Sequence, residues 1–211
     1  MKKLEFDIIL KTARSLVLEL KDCGCYSTEE EHVVYVNGKE AERSNKNVVS
    51  VFDLKPATAY EVQVKLADKE SEVVTVCTEN EFVTLNVKEF GAKGDNETDD
   101  TLFIQCAINA CPKGGRVYIP AGNYRITTLF LKSNLVLELA KGATLYATTD
   151  RTKFPILPGV ITSYDEQDEY NLGTWEGNPI DCFAGIITGI NVENVIITGQ
   201  GVIDGCSSYE T

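Results

Sequence analysis

The first eighty residues alternate apolar and polar positions in short stretches that fit β-strands. Such alternation is typical of strands with one buried face. Turn-forming residues separate the stretches, and Asn37-Gly38 is a strong hairpin signal. The pattern predicts strands at Phe6–Leu10, Ser15–Leu20, Val33–Val36, Asn47–Leu54, Tyr60–Leu66 and Glu72–Cys77. Strands at this spacing without helices predict a small antiparallel β-sandwich over residues 1–80.

An amphipathic helix is predicted between Thr98 and Cys111. Thr98 offers an N-cap hydroxyl, and Asp99 and Asp100 suit the first turn, where acidic side chains complement the helix dipole. Pro112 and the glycines after it end the pattern. The residues of the broad apolar side are Leu102, Ile104, Cys106, Ala107, Ile108, Ala110 and Cys111.

From Arg116 onward the chain shows short apolar stretches divided by Gly, Asn, Lys or Asp. They predict strands at Arg125–Leu131, Leu135–Leu139, Thr144–Ala147, Phe183–Thr188, Val195–Thr198 and Val202–Asp204. The stretches that begin at Asn134 and Asn194 are similar to each other, and both residues are expected at equivalent corners, because asparagine tolerates left-handed backbone geometry. A repeated strand–turn unit indicates the stacked coils of a β-solenoid, with the helix as a cap on its first edge.

Two pairs of motifs carry a resemblance to a known family. FGAKGDNETDD and AINACPKGGRVYIPAGNY resemble the opening of the right-handed parallel β-helices that degrade pectin. FLKSNLVLELAKGATLYATTD and NVIITGQGVIDG resemble the polygalacturonase branch of these proteins, glycoside hydrolase family 28. The resemblance runs from about Thr84 to Gly205. It implies an all-β chain in which residues 84–211 form the N-terminal coils of an incomplete β-helix.

A second resemblance lies in the N-terminal part. Leu54-Lys55-Pro56-Ala57-Thr58-Ala59-Tyr60 resembles the fibronectin type III signature around its tyrosine corner. It implies that the Tyr60 hydroxyl bonds to backbone upstream of the strand. The second strand lacks the tryptophan usual in this fold, since the sole tryptophan is Trp175. Residues 1–80 are therefore expected to be a fibronectin type III-like domain, joined by the short linker Thr78–Val83.

The stretch Thr149–Asp181 interrupts the coil pattern, and long loops on solenoids usually build the binding face. Trp175 and Glu176 are the candidate substrate-binding residues, because a tryptophan there offers a surface for stacking on a sugar ring. The alternative for Trp175 is that it packs the loop against the solenoid wall.

The resemblance to the polygalacturonases implies inverting hydrolysis of galacturonosyl linkages by a carboxylic acid and opposing carboxylates. It also implies four motifs in later coils: Asn-Thr-Asp, Asp-Asp, Gly-His-Gly and Arg-Ile-Lys. None occurs here in a usable setting, because Asp99-Asp100 opens the helix and His32 has no glycine neighbours. No catalytic residue, metal site or cofactor is therefore expected in this chain. The catalytic residues are expected downstream of Thr211, and the chain alone is expected to be inactive.

Three function classes stay open at this point. The type III-like domain before the β-helix looks like the exo-acting bacterial polygalacturonases, which implies a pectic oligosaccharide or polysaccharide as the substrate. The second class is a non-catalytic β-helical carbohydrate-binding or structural protein, such as a tailspike or adhesin. The third is a polysaccharide lyase, which needs calcium-binding aspartates and a basic residue. Asn-Thr-Asp followed by Gly-His-Gly in later sequence would distinguish the first class.

Composition and charge limit the kinds of molecule that the chain is expected to bind. The chain is 43% hydrophobic and 25% charged, as in ordinary globular proteins. Its formal net charge of −12 argues against nucleic-acid binding, and it also repels a polyanionic substrate at long range. No apolar run is long enough to span a bilayer, so no membrane partner is expected. An incomplete solenoid would expose Val195, Ile197 or Ile203 at its open end, which predicts self-association there.

The N-terminal twenty residues lack an uninterrupted apolar stretch, because Glu5, Asp7 and Lys11 break it. A cytoplasmic location is therefore expected, or a secreted one if a leader has been removed. The seven scattered cysteines fit reduced thiols. His32, the only histidine, has no second metal ligand nearby in sequence and is expected at a surface or strand edge.

Overall fold

The computed structural model describes residues 4–21, 24, 26–162 and 169–207. The chain divides into two compact units, Met1–Glu81 and Phe82–Thr211. The strands of the first unit are β1 (Phe6–Lys11), β2 (Leu16–Leu20), β3 (Ser27–Val36), β4 (Lys39–Lys46), β5 (Val48–Val51), β6 (Ala59–Leu66), β7 (Lys69–Glu70) and β8 (Val74–Cys77). Within the described residues no helix is both long and apolar enough to cross a membrane.

The first unit is a sandwich of two antiparallel sheets. One sheet has the strand order β1-β2-β5, and the other has β4-β3-β6-β7, with β8 also paired to β6. The side chains between them form one apolar core that includes Leu16, Leu18, Leu20, Val34, Val49, Val51, Val62 and Val64. The Tyr60 hydroxyl accepts a hydrogen bond from the backbone N–H of Lys55 at 2.9 Å. This tyrosine corner and the sheet arrangement confirm the fibronectin type III-like fold.

The strand β4 was not predicted from the sequence. Its residues, KEAERSNK, are mostly exposed and carry no apolar alternation, because β4 lies at the edge of its sheet beside β3. The hairpin between these two strands turns at Asn37 and Gly38, with φ values of 50° and 73°. Two positive φ values in a two-residue loop are the geometry that the Asn-Gly pair favours. Pairing with β4 also extends β3 backwards from the predicted start at Val33 to Ser27.

His32 does not lie at a surface, contrary to the sequence expectation. It is 0% exposed in β3, where it faces Ser44 of β4 and Leu66 of β6. The reason is the longer β3, which places His32 inside the strand and not before it. In the part of the chain that the structure describes, neither ring nitrogen has a hydrogen-bond partner. Burial lowers the pKa of His32 below the ordinary value of 6.5.

The buried histidine makes the stability of the chain depend on pH. In the unfolded chain His32 titrates near its ordinary pKa of about 6.5, so below that pH the unfolded state binds the proton more readily. Stability is therefore full above about pH 6.5 and falls as the pH drops toward the folded-state pKa, by at most about 1.4 kcal/mol per pH unit. We expect His32→Leu to remove this component when urea unfolding is compared at about pH 7.5 and about pH 5. An equal pH response of both proteins would contradict the assignment to His32.

The second unit is a capped stack of parallel coils. Its strands are β9 (Thr84–Asn86), β10 (Asp95–Asp99), β11 (Arg116–Ile119), β12 (Gly122–Ile126), β13 (Leu129–Phe130), β14 (Leu135–Leu139), β15 (Ala143–Ala147), β16 (Ile156–Leu157), β17 (Val160–Thr162), β18 (Glu169–Asn171), β19 (Thr174–Trp175), β20 (Asn178–Pro179), β21 (Cys182–Phe183), β22 (Ile187–Thr188), β23 (Val195–Gly199) and β24 (Val202–Asp204). Two parallel sheets run in the orders β9-β11-β14-β23 and β10-β12-β15-β24, and β13 pairs in parallel with β22. The unit is thus a parallel β-helix.

Apolar side chains fill the inside of the coils in register. Val117, Leu137 and Ile197 are successive partners in one sheet, and Leu145 pairs with Ile203 in the other. At the corner before β14 and β23, the Asn194 side-chain amide donates to the Asn134 side-chain oxygen at 3.2 Å, and the two φ values are 55° and 59°. The predicted equivalence of the two asparagine corners is therefore present in the structure.

The helix α1 (Thr101–Ala110) begins later than the sequence predicted. Its N-cap position is Asp100, whereas Thr98 lies in β10, a strand that adds to the parallel sheet beside β12. The reason lies in local side-chain bonds: Asp95 accepts from the backbone N–H and the hydroxyl of Thr98, and Asp99 accepts from the N–H of Thr101. These hydrogen bonds give the polar groups of β10 their partners, so residues 95–99 remain a strand. The N-cap of the helix is therefore two residues later than predicted.

Asp100 anchors the FGAKGD loop to the cap. Its side chain is 0% exposed and accepts hydrogen bonds from the backbone N–H groups of Lys93 (2.7 Å) and Gly94 (2.9 Å). A Cβ at Gly94 would lie 2.9 Å from the ring of Tyr124, and its φ is 64°, so this position needs glycine. The motif therefore encodes the junction between the cap and the first coil.

The other end of the stack is more open. Leu137 is 0% exposed in β14, but its partner Ile197 in β23 is 45% exposed. Leu145 is 0% exposed in β15, and its partner Ile203 in β24 is 42% exposed. In the described part of the chain, β23 and β24 are the outermost strands of their sheets. Inward-facing apolar side chains are thus left uncovered on this side.

The interrupting stretch contains strands that the sequence analysis did not predict. Three small antiparallel pairs, β16–β21, β17–β18 and β19–β20, fold it into a compact insert between β15 and β22. Each strand has only two or three residues, which is too short for an alternation pattern to show in the sequence.

Candidate functional site: the insert and its cleft

The predicted binding residues lie at the tip of a two-residue hairpin. Trp175 in β19 pairs with Asn178 in β20, and Glu176 and Gly177 form the turn with φ values of 49° and 82°. Two positive φ values in a two-residue hairpin are typical of a type I′ turn, which Gly177 makes easy to form. The hairpin therefore presents Trp175 and Glu176 next to each other.

Trp175 is 71% exposed, so it does not pack the insert against the solenoid wall. That alternative is wrong, because a side chain that held the insert in place would be covered by it. Glu176 is exposed as well. A rigid, exposed indole with a neighbouring polar group suits contact with a ring that has an apolar face and hydroxyl edges.

A cleft of about 280 Å³ opens at the base of the insert. Its walls come from the end of β15, the 3₁₀ turn at Arg151–Lys153, the return strand β21 and the segment after β24. The lining residues are Ala147, Thr148, Thr149, Arg151, Phe154, Phe183, Ala184, Gly185, Ile186, Gly205, Cys206 and Ser207.

Backbone hydrogen bonds fix these walls. The N–H of Thr148 donates to the carbonyl of Ile126, and the N–H of Ala184 donates to the carbonyl of Pro155. The carbonyl of Ile186 in turn accepts from Leu129 in the preceding coil. Both ends of the insert are thus tied to the coils, so the cleft is part of the folded scaffold.

Arg151 and two acidic neighbours, Asp150 and Asp204, set the charge around the cleft. Asp150 accepts from the hydroxyl (2.6 Å) and the N–H (3.1 Å) of Thr152, and these bonds, with the nearby Lys153, lower the pKa of its carboxyl. In the described residues no carboxylate lies within ion-pair distance of the Arg151 guanidinium. Burial, followed by the neighbouring Asp204, raises the pKa of the Cys206 thiol, so this thiol adds no negative charge at neutral pH.

The remaining acidic candidates are structural. Asp100 is buried and both of its oxygens accept backbone N–H groups of the Lys93–Gly94 loop. The Asp99-Asp100 pair thus has a structural role at the start of the helix, but neither residue lies in its first turn, where the sequence analysis had placed them. In the part of the chain that the structure describes, no three His, Cys, Asp or Glu side chains are grouped to hold a metal ion.

Sequence reasoning did not identify the cleft. Its residues come from three separate stretches, 147–154, 183–186 and 205–207, which meet only when the coils stack. The one available signal was that a basic residue, Arg151, and an aromatic residue, Phe183, flank the two ends of the insert. Neither forms a motif with its sequence neighbours.

Comparisons with known proteins show the class of the chain and the proteins that it resembles. The family model described as rhamnogalacturonase A/epimerase, pectate lyase-like, matches residues 84–151. The exo-poly-alpha-D-galacturonosidase of Dickeya chrysanthemi is 32% identical over 161 residues, which is 74% of this chain and 26% of that protein. The structure of the Yersinia enterocolitica family 28 exopolygalacturonase superposes with a TM-score of 0.64 and 27% identity, over 96% of this chain and 41% of that one. Alginate lyase 7 of Azotobacter vinelandii is 39% identical over 108 residues, 44% of this chain and 12% of that protein.

The fold and these matches define a right-handed parallel β-helix of the pectate-lyase-like class, preceded by a fibronectin type III-like sandwich. Within that class the chain is similar to polygalacturonases, among them a family 28 exopolygalacturonase. The chain spans about a quarter of the length of the Dickeya relative and about two fifths of the Yersinia structure.

Proposed function

We propose that this chain forms the N-terminal part of a polygalacturonase that removes uronic acid units from the ends of pectic chains by inverting hydrolysis. One observation carries the proposal: a family 28 exopolygalacturonase matches 96% of this chain, including the type III-like unit, at a TM-score of 0.64. In this proposal the chain supplies the capped start of the solenoid and the insert with Trp175 and Glu176.

The chemistry is proposed to be completed by later coils. Inverting hydrolysis needs an acid and a base on opposite sides of the sugar, roughly 6.5–9.5 Å apart, so that a water fits between base and sugar. Asp99 and Asp100 are engaged in the cap and do not face an open surface together. The relatives extend well beyond the length that this chain spans, which leaves room for the acid, the base and the cationic groups that bind uronate carboxylates.

Reducing-sugar release from polygalacturonate tests whether the catalytic residues lie in later coils. We expect the 211-residue chain to show none and a form that continues through later coils to release mono- or disaccharides without a rapid fall in viscosity. In that longer form, Trp175→Ala should raise KM by up to about tenfold with little change in kcat, through lost stacking. Leu102→Ala, which removes an exposed side chain on α1, is the control and should change neither constant. Turnover by the purified 211-residue chain, or an unchanged KM in Trp175→Ala, would contradict the proposal.

A second candidate is a uronate-specific polysaccharide lyase, which the 39% identity to alginate lyase 7 over 108 residues favours. A lyase leaves an unsaturated uronate at the new chain end, whereas a hydrolase adds water across the bond. Ultraviolet absorption by the products of the longer form therefore separates the two candidates.

We also propose that the open end of the coils associates with a second copy of the chain. Ile197 and Ile203 face inward but remain 45% and 42% exposed, and among the described residues no further strand pairs with the outer edges of β23 and β24. Sedimentation velocity should show concentration-dependent dimers, which Val202→Lys on β24 should weaken. Thr144→Lys, at the paired position on the inner strand β15, is the control and should leave the dimers intact. A monomer at the highest attainable concentration would contradict this proposal.

A further inference from the structure

We propose that the cleft at the base of the insert is a binding site for one acidic sugar residue, with Arg151 as the partner of its carboxylate and Phe183 as the surface under its ring. The inference rests on the proposed function for its choice of sugar class. It adds a site within this chain that is separate from the Trp175 hairpin and from any catalytic residue of later coils.

The size of the cleft limits the ligand to something small. At about 280 Å³ it lies just below the usual range of ligand pockets, which suits a single pyranose ring. Two phenylalanine rings, Phe154 and Phe183, and three hydroxyl groups, on Thr148, Thr149 and Ser207, line it. Apolar rings combined with hydroxyls match a sugar, which has C–H faces and hydroxyl edges.

Charge selects an acidic sugar over a neutral one. The chain has 32 acidic and 20 basic residues. Arg151 lines the cleft, and among the described residues no carboxylate lies within ion-pair distance of its guanidinium. Guanidinium groups bind carboxylates through two parallel hydrogen bonds, so Arg151 suits a single carboxylate. The Asp150 carboxylate beside it bonds to Thr152 and stays ionised, so Arg151 binds a ligand carboxylate against this nearby negative charge.

Phe183 is held in place but left uncovered. It lies in β21, opposite Ile156 of β16, and the next residue, Ala184, bonds to Pro155 through its N–H. Its side chain is nevertheless 52% exposed. A side chain that is fixed by its strand and open on the cleft side contacts a ligand without first being ordered, which favours binding.

The uronate has two possible sources, because the relatives include proteins named for galacturonan and for alginate chemistry. Both polymers consist of pyranose rings with one carboxylate each. Isothermal titration of the 211-residue chain with trigalacturonate, trimannuronate and neutral galactotriose tells them apart. We expect saturable binding of trigalacturonate that weakens as salt is added, and much weaker binding of the neutral trimer.

Paired variants locate the site. Arg151→Gln should weaken binding at least about tenfold, and Phe183→Leu by about three- to tenfold. Lys141→Gln removes the same charge two residues before β15 begins, and Phe82→Leu truncates another exposed phenylalanine, so both should stay within about twofold of the unmodified chain. Circular dichroism and thermal unfolding confirm that each variant is folded before titration.

Each result bears on the inference. No saturable binding of either uronate, equal binding of galactotriose, or unchanged binding by Arg151→Gln would overturn it. Binding of trimannuronate alone would support a uronate site and would count against the pectic substrate of the proposed function. The titration measures binding to the 211-residue chain and does not depend on hydrolysis by a longer form. The catalytic proposal can therefore fail without changing the result expected here.

Discussion

Replacing Gly199 with alanine is expected to detach the last coil. Gly199 has a φ of 118° and pairs with Leu139 in the preceding coil, and a Cβ at this position would overlap the Leu139 carbonyl oxygen. That oxygen accepts hydrogen bonds from the N–H groups of Gln200 (2.9 Å) and Gly201 (3.2 Å), so it forms the corner between β23 and β24. Backbone cannot move away as a flexible side chain does. We therefore expect a loss of at least about 4 kcal/mol for this coil.

Gly177→Ala separates the overlap from the backbone strain. Gly177 also has a positive φ of 82°, but a Cβ there would have nothing within 4 Å. This substitution should cost only about 1 kcal/mol, from the unfavourable φ alone. Hydrogen exchange over residues 195–204 should rise strongly in Gly199→Ala and stay unchanged in Gly177→Ala. If both variants protected these residues equally, the assigned role of Gly199 in the corner would be wrong.

Gly199 also shows why part of this fold was predictable from sequence. The coil corner requires a glycine at position 199, and this glycine is part of the motif ITGQGVIDG. In the same way, Gly94 is required by its position and is part of FGAKGDN. Asparagine corners leave a similar mark at Asn134 and Asn194, where left-handed geometry is needed. Few residue types can adopt the backbone geometry at such positions. The resemblance to known coils therefore lies at residues that the fold requires.

Elements that many different sequences can form were predicted poorly, because they need no characteristic sequence pattern. The strand β4 is an exposed edge strand held by backbone pairing, and its polar side chains give no period. The start of α1 was misplaced because Thr98 and Asp100 are both good cap residues, and only the pairing of β10 with β12 decides between them. His32 became buried because β3 extends to meet β4. In each case a partner distant in sequence settles the local choice.

The candidate site divides in the same way. Trp175 and Glu176 were predicted because a single hairpin presents them, so their sequence neighbours hold the information. The cleft was missed because Arg151, Phe183 and Ser207 come together only through the stacking of β15, β22 and β24 on their neighbours. The residues of a functional site in a solenoid thus come partly from one continuous stretch and partly from separate coils that lie next to each other only after stacking.

The cap offers the second large effect. Asp100→Ala should destabilise the second unit by roughly 3 kcal/mol, because two hydrogen bonds to a carboxyl group are lost at once. The N–H groups of Lys93 and Gly94 would lose their acceptor, and the buried position would be left with a gap. The loop that they belong to packs on Tyr124, whose own hydroxyl donates to the Pro120 carbonyl at 2.8 Å. Loss of Asp100 should therefore loosen the junction between the cap and the first coil.

Asp95 is the matched control for Asp100, because its carboxyl also accepts two backbone N–H groups, from Thr98 (2.8 Å) and Glu97 (2.9 Å). These bonds and the Thr98 hydroxyl lower the pKa of Asp95 to about 2, but the side chain is exposed, so water replaces the carboxyl oxygen when it is removed. Asp95→Ala should accordingly cost much less than Asp100→Ala in urea unfolding, and Asp100→Asn, which keeps one acceptor oxygen, should fall between them. Equal losses in Asp95→Ala and Asp100→Ala would show that burial adds nothing to the cap. The order Asp100→Ala, Asp100→Asn, Asp95→Ala would assign much of the stability of the solenoid's first edge to one buried carboxyl group, because this group joins the FGAKGD loop to the start of α1.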